Sequence, residues 1–291
     1  MNLLEKLKQI KNETNVVETF RKGEKNCEFI IYDVDGSSLI MKYSDSKEGI
    51  EEINENILGY KLSKKYPSLK KIFPNIVETN EKYIVLEYLG EPIKTKNISQ
   101  FEVLSAIKNT INSVYKTKIR SIDENKEAIK YIINHETSYL EKFLLPNNFG
   151  NKEMVKDLNN LDFSFVNSSS TICTKDFTPD NVFIYNNGFK YIDPKRNIIG
   201  PPFIDLGMLG TSYDKIYQMS ENKDFYNSLL SFSKSNDKQM NYVGEETERL
   251  FKLGSLRQYI LSAKFGLFPQ NNPTKVNYCI NQAKKIIEEL K

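Results

Sequence analysis

The spacing of apolar positions divides the chain into a first part rich in strands and a second part rich in helices. A short amphipathic helix is predicted at residues 2–11, where leucine and isoleucine recur at helical spacing. Extended segments follow from about residue 15. The segments CEFIIYDVDG and SSLIMKYS, joined by an Asp35-Gly36 turn, predict a β-hairpin, and VVETF before them is a candidate partner strand.

A single helix interrupts the strands of this first part. From Lys47 to Tyr66 the apolar positions fall on one side of a helix, and Pro67 is expected to end it. Two further strands, NIVETN and KYIVLEYLG, follow, and the second ends at Gly90. The predicted order is therefore five strands with one inserted helix.

The polar stretch EPIKTKN after Gly90 predicts a linker between two lobes. We expect an N-terminal lobe at residues 1–90, a hinge at 91–97 and a mostly helical C-terminal lobe at 98–291, which makes the fold class α+β. In the second lobe, amphipathic helices are predicted near residues 99–119, 124–145, 151–161, 244–265 and 274–290.

Composition narrows the possible functions. The 291 residues are 39% hydrophobic and hold 41 basic and 38 acidic side chains interspersed along the chain, so they show no footprint of a nucleic-acid binder. Three distant cysteines fit neither a disulfide framework nor a metal cluster. The N-terminal segment lacks the apolar core of a signal peptide, and no apolar run reaches membrane length. A soluble cytoplasmic protein without membrane or nucleic-acid partners is predicted.

One compact string, ICTKDFTPDNVFIYNNGFKYIDP, carries most of the candidate chemistry. Asp176 and Asn181 are five positions apart, the interval of the H-R-D-x-x-x-x-N loop of kinases, in which the Asp accepts the hydroxyl proton and the Asn holds magnesium. Two short strands, VFIY and FKYI, should return Asp193 to this loop as a second metal ligand. The alternative is that these are ordinary turn residues. The spacing favours phosphoryl transfer with Mg²⁺.

The same region resembles the aminoglycoside phosphotransferase and choline kinase group of small-molecule kinases. DFTPDN is similar to the D-L-x-P-x-N loop of that group, and IDPK followed by GPPFIDLG resembles the I-D-P-K and G-D-P-x-x-D-L runs of streptomycin-type phosphotransferases. The resemblance implies a two-lobed protein-kinase-like fold over most of residues 15–290. It also implies that ATP or GTP is the co-substrate.

By this resemblance, Lys42 in LIMK takes the place of the V-A-I-K lysine that holds the α- and β-phosphates. A glutamate of the following helix should pair with it. Glu55 is the chosen partner, and Glu51 and Glu52, about one turn away, stay as alternatives.

The other nucleotide contacts implied by the resemblance lie at the ends of strands. Gly23, with Arg21 and Lys22, fills the turn where a glycine-rich loop would cover the phosphates. Glu87 and Leu89 in LEYLG match the hinge whose backbone groups meet the adenine.

Several neighbouring residues complete or depart from the family pattern. Asp205 is expected to accept hydrogen bonds from the backbone of the catalytic loop. Thr174 stands where the family usually has His, and Lys175 where it usually has Gly or Arg. His135, the only histidine, is expected to pack or lie at the surface and not to act as the base.

The acceptor is expected to be a small molecule with a free hydroxyl. Only eleven residues separate Asp193 from Asp205, too few for the peptide-docking segment of protein kinases. Helices between residues 98 and 170 would build the acceptor pocket, in which an aminoglycoside, a choline-like compound or a sugar are all possible acceptors. The acidic candidates for that pocket are Asp123, Glu136, Glu141, Asp157 and Asp162.

Two functions of other classes stay open at this point. A kinase-like fold also suits a protein kinase or nucleotidyltransferase, and it suits a nucleotide-binding regulator without turnover. The mass of the product distinguishes these functions. A small-molecule kinase adds phosphate to a small molecule, a nucleotidyltransferase adds AMP to a protein, and a regulator gives no product.

Overall fold

A five-stranded antiparallel sheet forms the N-terminal lobe. Its strands lie in the spatial order β1-β2-β3-β5-β4, which confirms the predicted strands and hairpin. Their bounds are β1 Asn15–Lys22, β2 Cys27–Val34, β3 Ser37–Tyr43, β4 Ile76–Asn80 and β5 Tyr83–Glu87. The computed structural model describes residues 3–22, 26–96, 98–115, 122–164, 166, 170–194, 199–219, 224–268 and 270–291.

Two helices cover opposite faces of this sheet. Because side chains alternate along a strand, Ile30 and Tyr32 of β2 pack with helix α1 (Leu3–Glu13), whereas Phe29 joins the main core with helix α2 (Lys47–Ser63). The apolar side of α2 therefore faces the interior of the molecule.

The helix predicted to reach Tyr66 ends earlier, at Ser63. Pro67 then begins a separate short helix, α3 (Pro67–Lys70), at its first position, where a missing N–H costs no hydrogen bond. Pro67 is therefore the first residue of α3, and α2 ends four positions before it.

The C-terminal lobe is mostly helical, as predicted. Two short helical turns, Leu140–Leu144 and Leu145–Asn147, follow α5, and residues 116–119 of the helix predicted at 99–119 lie outside the described residues. The helices are α4 Gln100–Tyr115, α5 Ile122–Tyr139, α6 Lys152–Asn159, α7 Pro202–Thr211, α8 Phe225–Asn236, α9 Gly244–Leu267 and α10 Pro273–Leu290. Short strands β6 Thr171–Ile172 and β9 Ile199–Gly200 form one pair, and β7 Val182–Tyr185 and β8 Gly188–Tyr191 form another.

Helices α7 and α9 approach each other closely through two glycines. A β-carbon on Gly207 would lie 1.9 Å from the carbonyl oxygen of Phe251, and one on Gly254 would lie 1.9 Å from that of Ile204. Only hydrogen fits at either position. The distance between the two helices is therefore fixed. This matters because each helix carries a residue that contacts the candidate catalytic loop around Asp176.

Backbone hydrogen bonds join the linker and the N-terminal lobe to the C-terminal lobe. The N–H of Ile93 donates to Val182 at 2.8 Å, and that of Tyr191 donates to Ile72 at 2.6 Å. The lobe boundaries at residues 90 and 98 stay a prediction. Among the described residues, no helix has both the length and the apolar character needed to cross a membrane.

Candidate active site

Lys42 lies at the centre of a buried polar cluster between the lobes. Strand β3 directs its side chain inward, and its ammonium contacts Glu52 at 2.5 Å, Asn56 at 2.9 Å and Asp193 at 3.0 Å. Only 4% of Lys42 is exposed. Burial disfavours the charge, but the carboxylates of Asp193 and Glu52 raise the pKa of Lys42 above its usual value. The lysine is therefore a fixed cation.

The choice of Glu55 as the partner of Lys42 is wrong. Glu52 makes the ion pair, and Glu55 lies on the exposed side of α2. The physical reason is helical phase: residues 52 and 56 are one turn apart and face β3, whereas residue 55 is turned away.

Asn56 extends this cluster into the C-terminal lobe. Its side-chain oxygen accepts from Lys42, and its side-chain nitrogen donates to the carbonyl of Pro194 at 3.2 Å. Asn56 is 1% exposed. One helix of the N-terminal lobe is thereby connected to the residue that follows Asp193.

Asp205 of α7 binds the backbone of the candidate catalytic loop. The Asp205 carboxylate accepts the N–H of Thr174 at 2.6 Å and the N–H of Lys175 at 2.9 Å. These bonds confirm the supporting role expected for Asp205. Complete burial outweighs them and raises the pKa of Asp205 to about 6.

The peptide bond between Lys175 and Asp176 is held by a second side chain. Lys175 has a φ of 61°, in the left-handed region, and its carbonyl accepts from Nε of Arg257 at 2.7 Å. Arg257 belongs to α9 and forms a buried ion pair with Glu136 of α5. The loop is thus fixed on both sides of Lys175.

The peptide bond after Asp176 is held by residues of the same motif. Its carbonyl accepts from Nδ2 of Asn181 at 3.1 Å and from the hydroxyl of Tyr191 at 3.3 Å. With its nitrogen used in this way, the Asn181 amide can present its oxygen to a cation. Asp176 itself is partly exposed, which is compatible with the role of general base predicted for it.

The strands β7 and β8 bring Asp193 back to this loop, as predicted. They pair in antiparallel register from Val182↔Tyr191 to Tyr185↔Gly188, through a turn at Asn186 and Asn187, both of which have positive φ. The N–H of Ile192 then donates to the carbonyl of Asn181 at 3.1 Å. This bond places the residue before Asp193 beside the catalytic loop.

A cleft of about 410 Å³ opens between the two lobes beside Lys42 and Asp193. Its sheet-side wall includes Phe20 and Phe29, whose rings stack with centroids 5.1 Å apart. Other apolar side chains lining it are Ile31, Ile40, Leu86, Leu89, Phe183 and Ile192. An apolar slot with charged groups at one end suits a flat heterocycle that carries phosphates.

The hinge residues Glu87 and Leu89 line the same cleft. The carboxylate of Glu87 is used for structure, since it contacts Lys190 at 2.7 Å and accepts the N–H of Asn75 at 3.1 Å. The backbone N–H of Glu87 donates to Asn75 at 2.9 Å and that of Tyr88 donates to Ser38 at 3.1 Å, so neither of these two donors is available to a base. Gly23 lies outside the described residues.

The residues present fit a magnesium ion that bridges phosphates. Mg²⁺ commonly takes one or two protein oxygens and completes its shell with phosphate oxygens and water. Asn181 and Asp193 supply two hard oxygen donors. Among the described residues there is no cluster of three or more His, Cys, Asp or Glu side chains suited to a metal.

Sequence reasoning missed Asn56 and Arg257, and it named Glu136 as a candidate for the acceptor pocket and not as the partner of Arg257. Two signals were present: Asn56 is a polar residue in phase with the buried positions Ile53 and Ile57, and Arg257 lies among buried apolar residues of its helix. Buried polar residues of this kind need partners, and the partners here belong to the catalytic cluster.

Solved structures of small-molecule kinases share this fold. Choline kinase LicA from Streptococcus pneumoniae matches with a TM-score of 0.61 and 14% identity over 99% of this chain and 99% of that chain. A choline kinase from Cryptosporidium parvum Iowa II matches with a TM-score of 0.58 and 14% identity over 95% of this chain and 90% of that chain.

An aminoglycoside phosphotransferase matches with a TM-score in the same range. A thermostable mutant of aminoglycoside phosphotransferase APH(4)-Ia, in ternary complex with ADP and hygromycin B, matches with a TM-score of 0.60 and 11% identity over 99% of this chain and 98% of that chain. No protein-family model and no curated protein matches the sequence. The narrower resemblance to the streptomycin-type subgroup stays a prediction. The chain has the two-lobed, kinase-like fold of the aminoglycoside phosphotransferases and choline kinases.

Proposed function

We propose that the protein is an ATP- or GTP-dependent phosphotransferase that moves the γ-phosphate to a hydroxyl of a small molecule. The observation that carries this proposal is the meeting of Lys42 and Asp193 at one cleft, with Asn181 and Asp176 together on the adjoining loop. Each of these groups has a distinct task in phosphoryl transfer.

The nucleotide would bind with its base in the apolar cleft and its phosphates toward Lys42. The carbonyl of Glu87 and the backbone of Leu89 would hydrogen-bond the edge of the base, and Phe20 and Phe29 line the wall beside it. Lys42, held by Glu52, would bind the α- and β-phosphates. Gly23 stays a candidate for covering them.

Asp176 would act as the general base. Its carboxylate accepts the proton of the acceptor hydroxyl while the acceptor oxygen bonds to the γ-phosphorus and the bond to the β-phosphate oxygen breaks. The products are a phosphate monoester and the nucleoside diphosphate. Bound Mg²⁺, held by Asn181 and Asp193, would neutralise charge on the phosphates. Positioning supplies most of the rate, so no covalent intermediate is needed.

The proposed acceptor is not restricted to aminoglycosides, because several of the candidate acidic side chains already have partners in the protein. Glu136 is neutralised by Arg257, Asp157 pairs with Lys291 at 2.6 Å, and Asp162 accepts the N–H of Ser164 at 2.8 Å. These three carboxylates therefore offer little to a polycation. A choline-like or sugar metabolite is the second candidate, and the cytoplasm, where nucleotides abound, is the proposed location.

A nucleotide-binding regulator without turnover is the rival from another class. The complete set of base, metal and phosphate groups argues against it, because a regulator does not need Asp176. A protein kinase or nucleotidyltransferase is a further rival.

The test is a product screen by mass spectrometry. Purified protein is incubated with ATP or GTP, Mg²⁺ and a pool of aminoglycosides, amino alcohols and sugars, with Asp176→Asn as the matched control. A phosphorylated small molecule that is absent with Asp176→Asn supports the proposal and names the acceptor. Tight nucleotide binding without any product would support the regulator, and a phosphate or nucleotidyl group on protein would support the other rivals.

A further inference from the structure

Arg257 is a buried cation that belongs to none of the motifs. It lies on α9, is 5% exposed, and directs Nε to the carbonyl oxygen of Lys175 at 2.7 Å. Its terminal nitrogen pairs with Glu136 and lies 3.2 Å from Nδ1 of His135. Burying a guanidinium is costly unless all its partners are fixed, so this arrangement is demanding to maintain.

The bond to Lys175 controls the orientation of one particular peptide group. The carbonyl of Lys175 and the N–H of Asp176 belong to the same planar unit, so fixing that oxygen fixes the backbone on the N-terminal side of Asp176. The N–H of Asp176 contacts the hydroxyl of Thr174 at 3.4 Å, a longer distance than the 2.7 Å between Arg257 and the carbonyl of Lys175.

The anchor is needed because the backbone here is strained. Lys175 has a φ of 61°, a conformation that costs energy for a residue with a side chain. Asp205 holds the N–H of Lys175 and Arg257 holds its carbonyl, so the two anchors lie on either side of the strained residue.

These two anchors are held at a fixed distance from each other. Asp205 is on α7 and Arg257 is on α9, and the close contacts at Gly207 and Gly254 lock those helices together. Glu136 on α5 fixes the guanidinium from the other side. The catalytic loop therefore rests on a rigid frame of three helices.

We propose that Arg257 is a positioning residue for Asp176, acting through the carbonyl of Lys175. It supplies orientation at a loop where Thr174 stands in place of the usual histidine. The inference rests on the proposed function, in which Asp176 is the base. Arg257 does not contact the nucleotide cleft, so its contribution concerns the chemical step and not the binding of the nucleotide.

Two variants separate positioning from stability. Arg257→Lys retains a cation for Glu136 but lacks the Nε that reaches the loop. Glu136→Gln removes the charge partner of Arg257 and leaves the bond to Lys175. Both variants should lower the midpoint of thermal unfolding, because each disturbs the same buried pair.

Steady-state kinetics with the acceptor from the product screen is the first readout. Arg257→Lys should lower kcat on the order of 100-fold, the effect of a small misplacement of a catalytic group, with the KM for ATP changed less than about twofold. Glu136→Gln keeps a side-chain oxygen that can accept a hydrogen bond from the guanidinium, so it should lower kcat less than Arg257→Lys does. Equal losses of kcat in the two variants, or a wild-type kcat in Arg257→Lys, would overturn the proposal.

Amide hydrogen exchange is the second readout and needs no acceptor. Arg257→Lys should speed exchange at Lys175 and Asp176 on the order of 10-fold while α9 stays protected, and Glu136→Gln should speed it less. Unchanged loop exchange in Arg257→Lys would overturn the proposal even if no acceptor were found. If the wild-type protein transfers no phosphate, the proposed function fails, and this exchange experiment still decides the role of Arg257.

Discussion

Lys42 and Asp193, 151 positions apart in the chain, form an ion pair at 3.0 Å across the cleft between the lobes. This pair joins the candidate phosphate-binding lysine to the candidate metal-binding carboxylate. Both are also held by a third residue, since Asn56 contacts Lys42 directly and reaches the carbonyl of Pro194 next to Asp193. The candidate phosphate-binding and metal-binding groups are therefore held together by contacts within the protein itself.

Replacing Lys42 by Met should weaken nucleotide binding. A hydrogen bond to a charged group contributes about 1.5–3 kcal/mol, so the Kd for ATP should rise about 10-fold or more. Isothermal titration calorimetry measures this change. Lys82→Met is the matched control, because Lys82 pairs with Asp45 at the surface of the same lobe. An unchanged Kd in Lys42→Met would remove Lys42 from the site.

Glu52→Gln and Glu55→Gln form a matched pair on one helix. Of these two glutamates only Glu52 contacts Lys42, so Glu52→Gln should lower kcat/KM for ATP about 10-fold, whereas exposed Glu55→Gln should stay within about twofold of wild type. Steady-state kinetics at varied ATP gives both values. The reverse order of effects would contradict the geometry of α2.

Asp193→Asn should abolish the response to Mg²⁺. The proposal gives Asp193 to the metal, so activity should be lost on chelation in the wild-type protein and restored by Mg²⁺, while Asp193→Asn should remain inactive on the order of 100-fold or more below wild type. Asp45→Asn, at an exposed position on the same lobe as Lys42, is the control. Activity that survives chelation would exclude the metal role.

Stability should depend on pH through Asp205. Its pKa is raised by burial from 3.8 to about 6 in the folded protein, so between those values the folded state holds the proton more tightly than the unfolded state. The contribution of this group to stability is therefore lost as pH rises from about 4 to about 6, by about 3 kcal/mol at 1.36 kcal/mol per pKa unit.

Urea unfolding of wild type and Asp205→Asn across that pH range isolates the effect. The stability difference between the two should shift in favour of Asp205→Asn as pH rises, and it should level off above about pH 6. A constant difference, or a slope of the opposite sign, would contradict a buried carboxyl with a raised pKa.

Local patterns predicted much of the fold and part of the site. Asp176, Asn181 and Asp193 lie within eighteen positions, so the turn and hairpin between them fix their meeting almost regardless of the rest of the chain. The five strands were predictable for the same reason, because alternation and turn residues are local signals.

The contacts that sequence reasoning missed join distant segments. Choosing Glu52 over Glu55 depends on the rotation of α2 against the sheet, which the three nearby glutamates do not reveal. Arg257 reaches Lys175 across 82 positions, and Asn56 reaches Pro194 across 138. Such pairs arise from packing of whole helices, and the only sign of them in the sequence is a polar residue at an apolar position.

The most direct test of the proposed phosphoryl transfer traces a labelled γ-phosphoryl group from ATP to the product. ATP carrying heavy oxygen on its γ-phosphoryl group is incubated with the protein, Mg²⁺ and the acceptor pool, and products are weighed by mass spectrometry. The account predicts a small-molecule phosphate monoester that carries the labelled oxygens with wild type and with Glu55→Gln, and none with Asp176→Asn. Equal product with wild type and Asp176→Asn would contradict the assignment of the base, and label found on protein alone would contradict the small-molecule acceptor.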